Sequence, residues 1–229
     1  VAVGTELLLG QIVNTNATWL GENLAAAGLD CTHQQTVGDN LERIVDALEL
    51  ALSRADAVIA CGGLGPTQDD ITRDALAQVM GTRLVTDDDV ADRILETFAS
   101  RGRRMPANNM RQALVPEGAT AIADPQPGTA PGLICPLGDK VAYAVPGVPR
   151  EMQAIVTQAI IPDLCARAGE RATIASRTLR TWGESESGLA ERLGELITEL
   201  DTAADGVTLA FLASGIEGLK VRLTAKAAD

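Results

Sequence analysis

Apolar residues follow two rhythms along this chain. Short continuous runs at residues 1–3 (the tail of one), 57–61, 133–135 and 141–145 read as strands, and 57–61 as one buried on both faces. Between them apolar positions recur at helical spacing. Leu41, Ile44, Val45, Leu48 and Leu52 form one such stripe, just after Asp39. Asn14-Thr15-Asn16 offers capping chemistry for a helix that runs to about Ala27 and stops at Gly28. Further helices are expected over residues 72–80 and 87–101, with a shorter helical segment at 108–114. Pro146-Gly147-Val148-Pro149 breaks the chain and launches a helix to about Ala166, while Gly4-Thr5-Glu6 reads as a loop. Strands alternating with helices of this length predict an α/β fold, a parallel sheet with helices on both faces.

The order changes near Ala168-Gly169. A strand (172–182), a helix (186–200) and two strands (207–212 and 219–224) follow, which is α+β order. The pattern divides the chain into a first domain, 1–168, and a small second module, 169–229, that stops abruptly and reads as incomplete. The chain also opens inside an apolar run without a Met, as a piece of a mature core would.

Composition narrows the chemistry. Of 229 residues, 46% are hydrophobic but only 2% aromatic, so the core is aliphatic. The formal net charge of −12 argues against nucleic acid or an anionic membrane as a partner. Any anionic ligand must then be held by local devices: backbone amides, helix ends, a few Arg, or a metal. Cys31, Cys61, Cys135 and Cys165 are scattered without a CxxC, so neither a disulfide framework nor a zinc site is expected. No stretch resembles a signal peptide or a membrane span, and the expected location is the cytoplasm. The one histidine, His33, reads as a strand-edge surface residue, and no Ser-His-Asp pattern surrounds it.

The densest chemistry follows the run ending at Cys61: Gly62-Gly63-Leu64-Gly65-Pro66-Thr67-Gln68-Asp69-Asp70. Ligands of open α/β sheets bind at the carboxyl edge, where this loop emerges. Gly62, Gly63 and Gly65 let backbone amides approach an anion, Thr67 adds a hydroxyl, and the next helix points its positive end into the same space. It is neither a Gly-Lys-Ser/Thr phosphate loop nor GxGxxG. The competing reading is a tight strand-to-helix turn in which Asp69 and Asp70 only cap the helix. Two acids beside a phosphate loop call for a cation between them, and Mg²⁺ takes one or two carboxylates plus phosphate oxygens. Asp39 supplies a third acid from another strand–helix junction, Glu6 a further one, and Asp74 reads as a solvated helix residue.

Four segments together resemble the competence/damage-inducible CinA family: Gly4 to Asn16, Val37-Gly38-Asp39-Asn40, Gly62 to Thr72, and Pro146-Gly147-Val148-Pro149-Arg150-Glu151-Met152. The resemblance implies a three-layer α/β/α, mostly parallel fold of the molybdopterin-binding (MoaB/Mog) type, then a KH-like module. It also implies hydrolysis of a nucleotide-sugar pyrophosphate such as ADP-ribose, dependent on Mg²⁺ or Co²⁺. Asp39 and Asp70 match functional acids of such proteins, here assigned to the metal, with Asp69 and Arg111 completing the catalytic set. Arg111 stands where the family usually has Lys. Glu6, Asn14, Asn16, Gly62, Gly63, Gly65, Thr67, Gly128, Thr129, Pro146 and Gly147 are the expected ligand-side residues. Segment 124–127 departs from the family's Asn-Pro pattern. The alternative implied function is binding of molybdopterin without hydrolysis. Relatives of this kind self-associate, so a homo-oligomer is expected. A literal GxxG, Gly215-Ile216-Glu217-Gly218, lies between two strand-like runs and reads as a hairpin turn.

Overall fold

Parallel strands make the spine of the first unit in the computed structural model, which describes residues 1–169, 172–202, 207–213 and 218–228. Strands β1 (Ala2–Val3), β2 (Thr36–Val37), β3 (Ala57–Cys61) and β8 (Lys140–Val145) run parallel, and β7 (Leu133–Leu137) and β6 (Thr120–Ala121) extend the sheet antiparallel. The order is β2-β1-β3-β8-β7-β6. The antiparallel edge has a local cause. Only Gly138 and Asp139 separate β7 from β8, and a two-residue link with Gly138 at φ +66° can only make a hairpin. A separate pair, β4 (Leu84–Thr86) and β5 (Leu114–Pro116), is antiparallel too.

Helices α1 (Thr5–Leu8), α2 (Thr15–Ala26), α3 (Leu41–Arg54), α4 (Thr72–Val79) and α5 (Asp88–Ser100) follow, with a 3-10 turn at Ala107–Ala113. Helix α3 begins because the Asn40 side chain accepts from the Arg43 amide, and its stripe Ile44, Val45 and Leu48 is buried against the sheet core. Asp87 caps α5 in the same way through the Val90 amide. Pro149 opens α6 (Pro149–Ile155), which passes through a π turn (Val156–Ile160) into α7 (Ile161–Ala168). The core is aliphatic: Val58, Ala60, Leu76, Leu133, Ala142 and Ala144 lie in one cluster. Segment 4–6, read as a loop, is instead the start of the single turn α1.

The chain divides into two units, Val1–Gly21 with Cys31–Leu164, and Glu22–Asp30 with Cys165–Asp229. In the second, β9 (Ala172–Thr181), β10 (Thr208–Ala213) and β11 (Leu219–Ala228) form an antiparallel sheet in the order β10-β11-β9. The single helix expected there is two, α8 (Glu186–Arg192) and α9 (Gly194–Thr202), divided where glycine weakens the helix. The turn expected at Gly215-Ile216-Glu217-Gly218 lies, but for Gly218, outside the described residues.

Candidate functional site

Residues following the carboxyl ends of β1, β3 and β8 meet in a cleft of about 430 Å³. Its lining contains Glu6, Asp39, Gly62, Gly63, Gly65, Asp69, Asp70, Thr129, Pro146 and Gly147, ten of the residues singled out from sequence. Leu64, Gln112 and Glu151 join them. Five acidic residues (Glu6, Asp39, Asp69, Asp70, Glu151) line this space, and among the described residues the lining includes no Lys, Arg or His.

The glycines are required by close packing. Gly62 sits at φ +110° with the Val3 carbonyl where a Cβ would be, and Gly63 at φ +66° with the Thr72 hydroxyl there. The loop is tied from behind. Thr72 Oγ1 donates to the Gly62 carbonyl at 2.8 Å, and the Thr72 amide to the Gly63 carbonyl at 3.1 Å. Arg73 donates from Nη1 to the Leu64 carbonyl and from Nη2 to the Gly65 carbonyl, both at 2.7 Å. Gln112, held by Asn109 at 3.0 Å, adds a donor to Leu64 at 3.4 Å. The amides of Gly63, Leu64 and Gly65 have no protein partner among the described residues.

This corrects one expectation. The first amide of α4 does not point at a ligand, because the loop's own Gly63 carbonyl has taken it. Asp70 is likewise engaged. Its Oδ2 accepts from the Thr67 amide (2.8 Å) and from the Thr67 hydroxyl, and it packs where a Gly65 Cβ would stand. Thr67 therefore shapes the loop and is absent from the cleft lining. The Thr67 hydroxyl and Asp69's own amide hold the exposed Asp69 carboxyl below its usual range. Asp39 joins the first two loops: its Oδ2 accepts from the Thr5 amide at 2.8 Å, and its amide donates to Thr5 Oγ1 at 3.1 Å. Among the described residues no three His, Cys, Asp or Glu side chains gather as a metal cage.

The remaining sequence-derived residues stand beside the cleft. Arg111 donates from Nη1 to the Thr67 carbonyl at 3.0 Å, and its Nη2 lies 3.8 Å from Asp74 Oδ2. It braces the loop and is not part of the lining. Asp74, expected to be solvated, is half-buried in that pair. Asn14 accepts from the Ala17 amide at 3.0 Å as the cap of α2. Asn16 reaches across to the Gly147 carbonyl at 2.8 Å. Both asparagines line a smaller neighbouring recess of about 130 Å³ that shares Val3, Glu6 and Gly147 with the cleft. Gly128 packs under the Glu151 carboxylate.

Sequence reasoning missed Arg73, Gln112 and Glu151 as site residues. Glu151 stood in a quoted motif, one turn into the helix after Pro149, so helical geometry was a usable signal. Arg73 carried none, since an Arg in a helix is normally solvated.

Residues 1–166 match the model of the probable molybdopterin binding domain family, and residues 176–229 that of the damage-inducible protein CinA KH domain. A CinA-like protein of Frankia casuarinae is 45% identical over 234 residues, covering 100% of this chain and 53% of that protein. A putative competence-damage inducible protein of Symbiobacterium thermophilum is 47% identical over 232 residues, with coverage of 100% and 53%. The chain thus spans about half the length of these relatives. The crystal structure of the protein CinA with unknown function from Thermoplasma acidophilum superposes with a TM-score of 0.65 at 37% identity, over 71% of this chain and 94% of that one. Among the described residues no helix is long and apolar enough to cross a membrane.

Proposed function

This chain belongs to the CinA-like family, with a molybdopterin-binding domain followed by a CinA KH domain, and from that premise we propose that its cleft binds the phosphate-bearing end of a small pterin- or nucleotide-type ligand. The observation that carries the proposal is the floor of the cleft, where three successive amides, Gly63, Leu64 and Gly65, have no protein partner among the described residues. Amides in such a concave run suit phosphate oxygens. The domain match favours a pterin as the rest of the ligand.

A divalent cation fits this residue set. Five carboxylates around an anion site repel the ligand unless a positive ion intervenes. Mg²⁺ characteristically uses one or two protein carboxylates plus ligand phosphates and water, so a cage of three side chains is not needed. Asp39, whose Oδ1 has no protein partner among the described residues, and Asp69 would hold it. Bound there, Mg²⁺ or Co²⁺ would neutralise phosphate charge and lower the pKa of a coordinated water.

That acid set also supports a second reading, hydrolysis of a nucleotide-sugar pyrophosphate such as ADP-ribose. The two readings separate by calorimetry and product analysis. With Mg²⁺ present, the first expects molybdopterin to bind more tightly than ADP-ribose and no AMP to form. AMP release that disappears in Asp39→Asn would establish the second instead; Asn retains the oxygen that accepts from Thr5. Binding of neither compound would discard both.

A further inference from the structure

The lining of the cleft holds no cation to offset its carboxylates, yet a guanidinium lies directly behind its floor. Four consecutive loop carbonyls accept from the start of α4: Gly62 and Gly63 from Thr72, Leu64 and Gly65 from Arg73. In a trans peptide a carbonyl and the N–H of the following residue point in opposite directions. The one cis bond among the described residues is Asp124-Pro125, so this rule holds for the loop. Carbonyls drawn back toward α4 turn the amides of Gly63, Leu64 and Gly65 the other way, onto the face that lines the cleft. After Gly65 comes Pro66, which has no amide, and the series ends.

Arg73 is 2% exposed, a buried charge with Asp70 and Asp74 near it. Burial lowers its pKa to about 10, with Asp70 and Asp74 opposing, so it stays cationic at neutral pH. Its planar fork spans two adjacent carbonyls, which a Lys ammonium cannot do with the same geometry. Hydrogen bonds to a charged donor are also the stronger kind, and they polarise the peptides that accept them.

We propose that Arg73 is the positioning residue of the anion site: it turns the Gly65 amide toward the ligand and transmits buried positive charge to an otherwise acidic cleft through the peptides it holds. The assignment rests on the anion-binding reading above. Its test is a titration of ¹⁵N-labelled protein with inorganic pyrophosphate and Mg²⁺, followed by amide resonances, for wild type and Arg73→Lys. In wild type the amides of Gly63, Leu64 and Gly65 shift saturably. In Arg73→Lys affinity falls about tenfold, the worth of one charge-assisted hydrogen bond. The Gly65 amide then responds far less, its peptide keeping only the longer bond from Gln112, while Gly63 and Leu64, held by Thr72, respond as before. A merely structural role would lower the denaturation midpoint and leave the pattern of responding amides intact, and that result overturns the assignment while sparing the anion site. Silence of all three amides in wild type overturns both. If Arg73→Lys does not fold, the wild-type Arg73 Nε–H resonance decides: it must shift on pyrophosphate addition, and a static signal overturns the assignment.

Discussion

At the scale of one residue, Glu151 makes stability depend on pH. It packs over Gly128, and burial raises its carboxyl pKa, with Arg101 opposing weakly. An acid whose folded pKa is raised favours the folded state below its unfolded value, and that contribution is lost as pH rises through the folded one. Glu151→Gln should therefore gain stability over wild type at neutral pH and lose that advantage in acid. The gain stays below about 1 kcal/mol, because solvent screens a half-buried carboxylate. Urea midpoints at neutral pH and below the ordinary carboxylate range would measure it, and an equal gain at both would refute the burial argument. The same substitution removes one of the five acidic residues that line the cleft.

Among elements, the loop between β3 and α4 has little room for change. Gly63 combines φ +66° with a Thr72 hydroxyl in the place of a Cβ. Gly63→Ala should cost about 1–3 kcal/mol, the sum of a left-handed backbone and a displaced hydrogen bond. Chemical denaturation would read this, and an unchanged midpoint would show that the loop relaxes freely. This loop was legible in the sequence because a buried apolar run delivers it and three glycines cluster within four residues. Helix α3 was legible for a similar reason, a stripe several turns long with Asn40 before it. Strands β2, β4 and β6 were not, since two or three residues are too few for a period to show. Nor were the links that assemble the site. Asn16 to Gly147 and Thr5 to Asp39 span long stretches of chain, and only the sheet order brings those residues together. Asp39 and Asp70 could be placed at the correct edge from sequence, but their engagement with Thr5 and Thr67 could not.

For the molecule as a whole, four free thiols report on its integrity. Burial raises the Cys61 pKa and pushes that of Cys135 up to about 12, and a thiolate is what reacts. A thiol reagent should modify exposed Cys31 first and half-buried Cys165 more slowly. Cys61 and Cys135, on β3 and β7, should react only once denaturant opens the first unit. Mass spectrometry of timed quenches would check that order, and early labelling of Cys135 would contradict the packing described. The wall of the cleft carries a different consequence. Among the described residues it contains no Phe, Tyr or Trp, so a flat heterocycle entering it would find no π surface on which to stack. If the cleft binds as proposed, discrimination between one ring system and another would fall to polar contacts at the ring's edge, and grip to the charged tail.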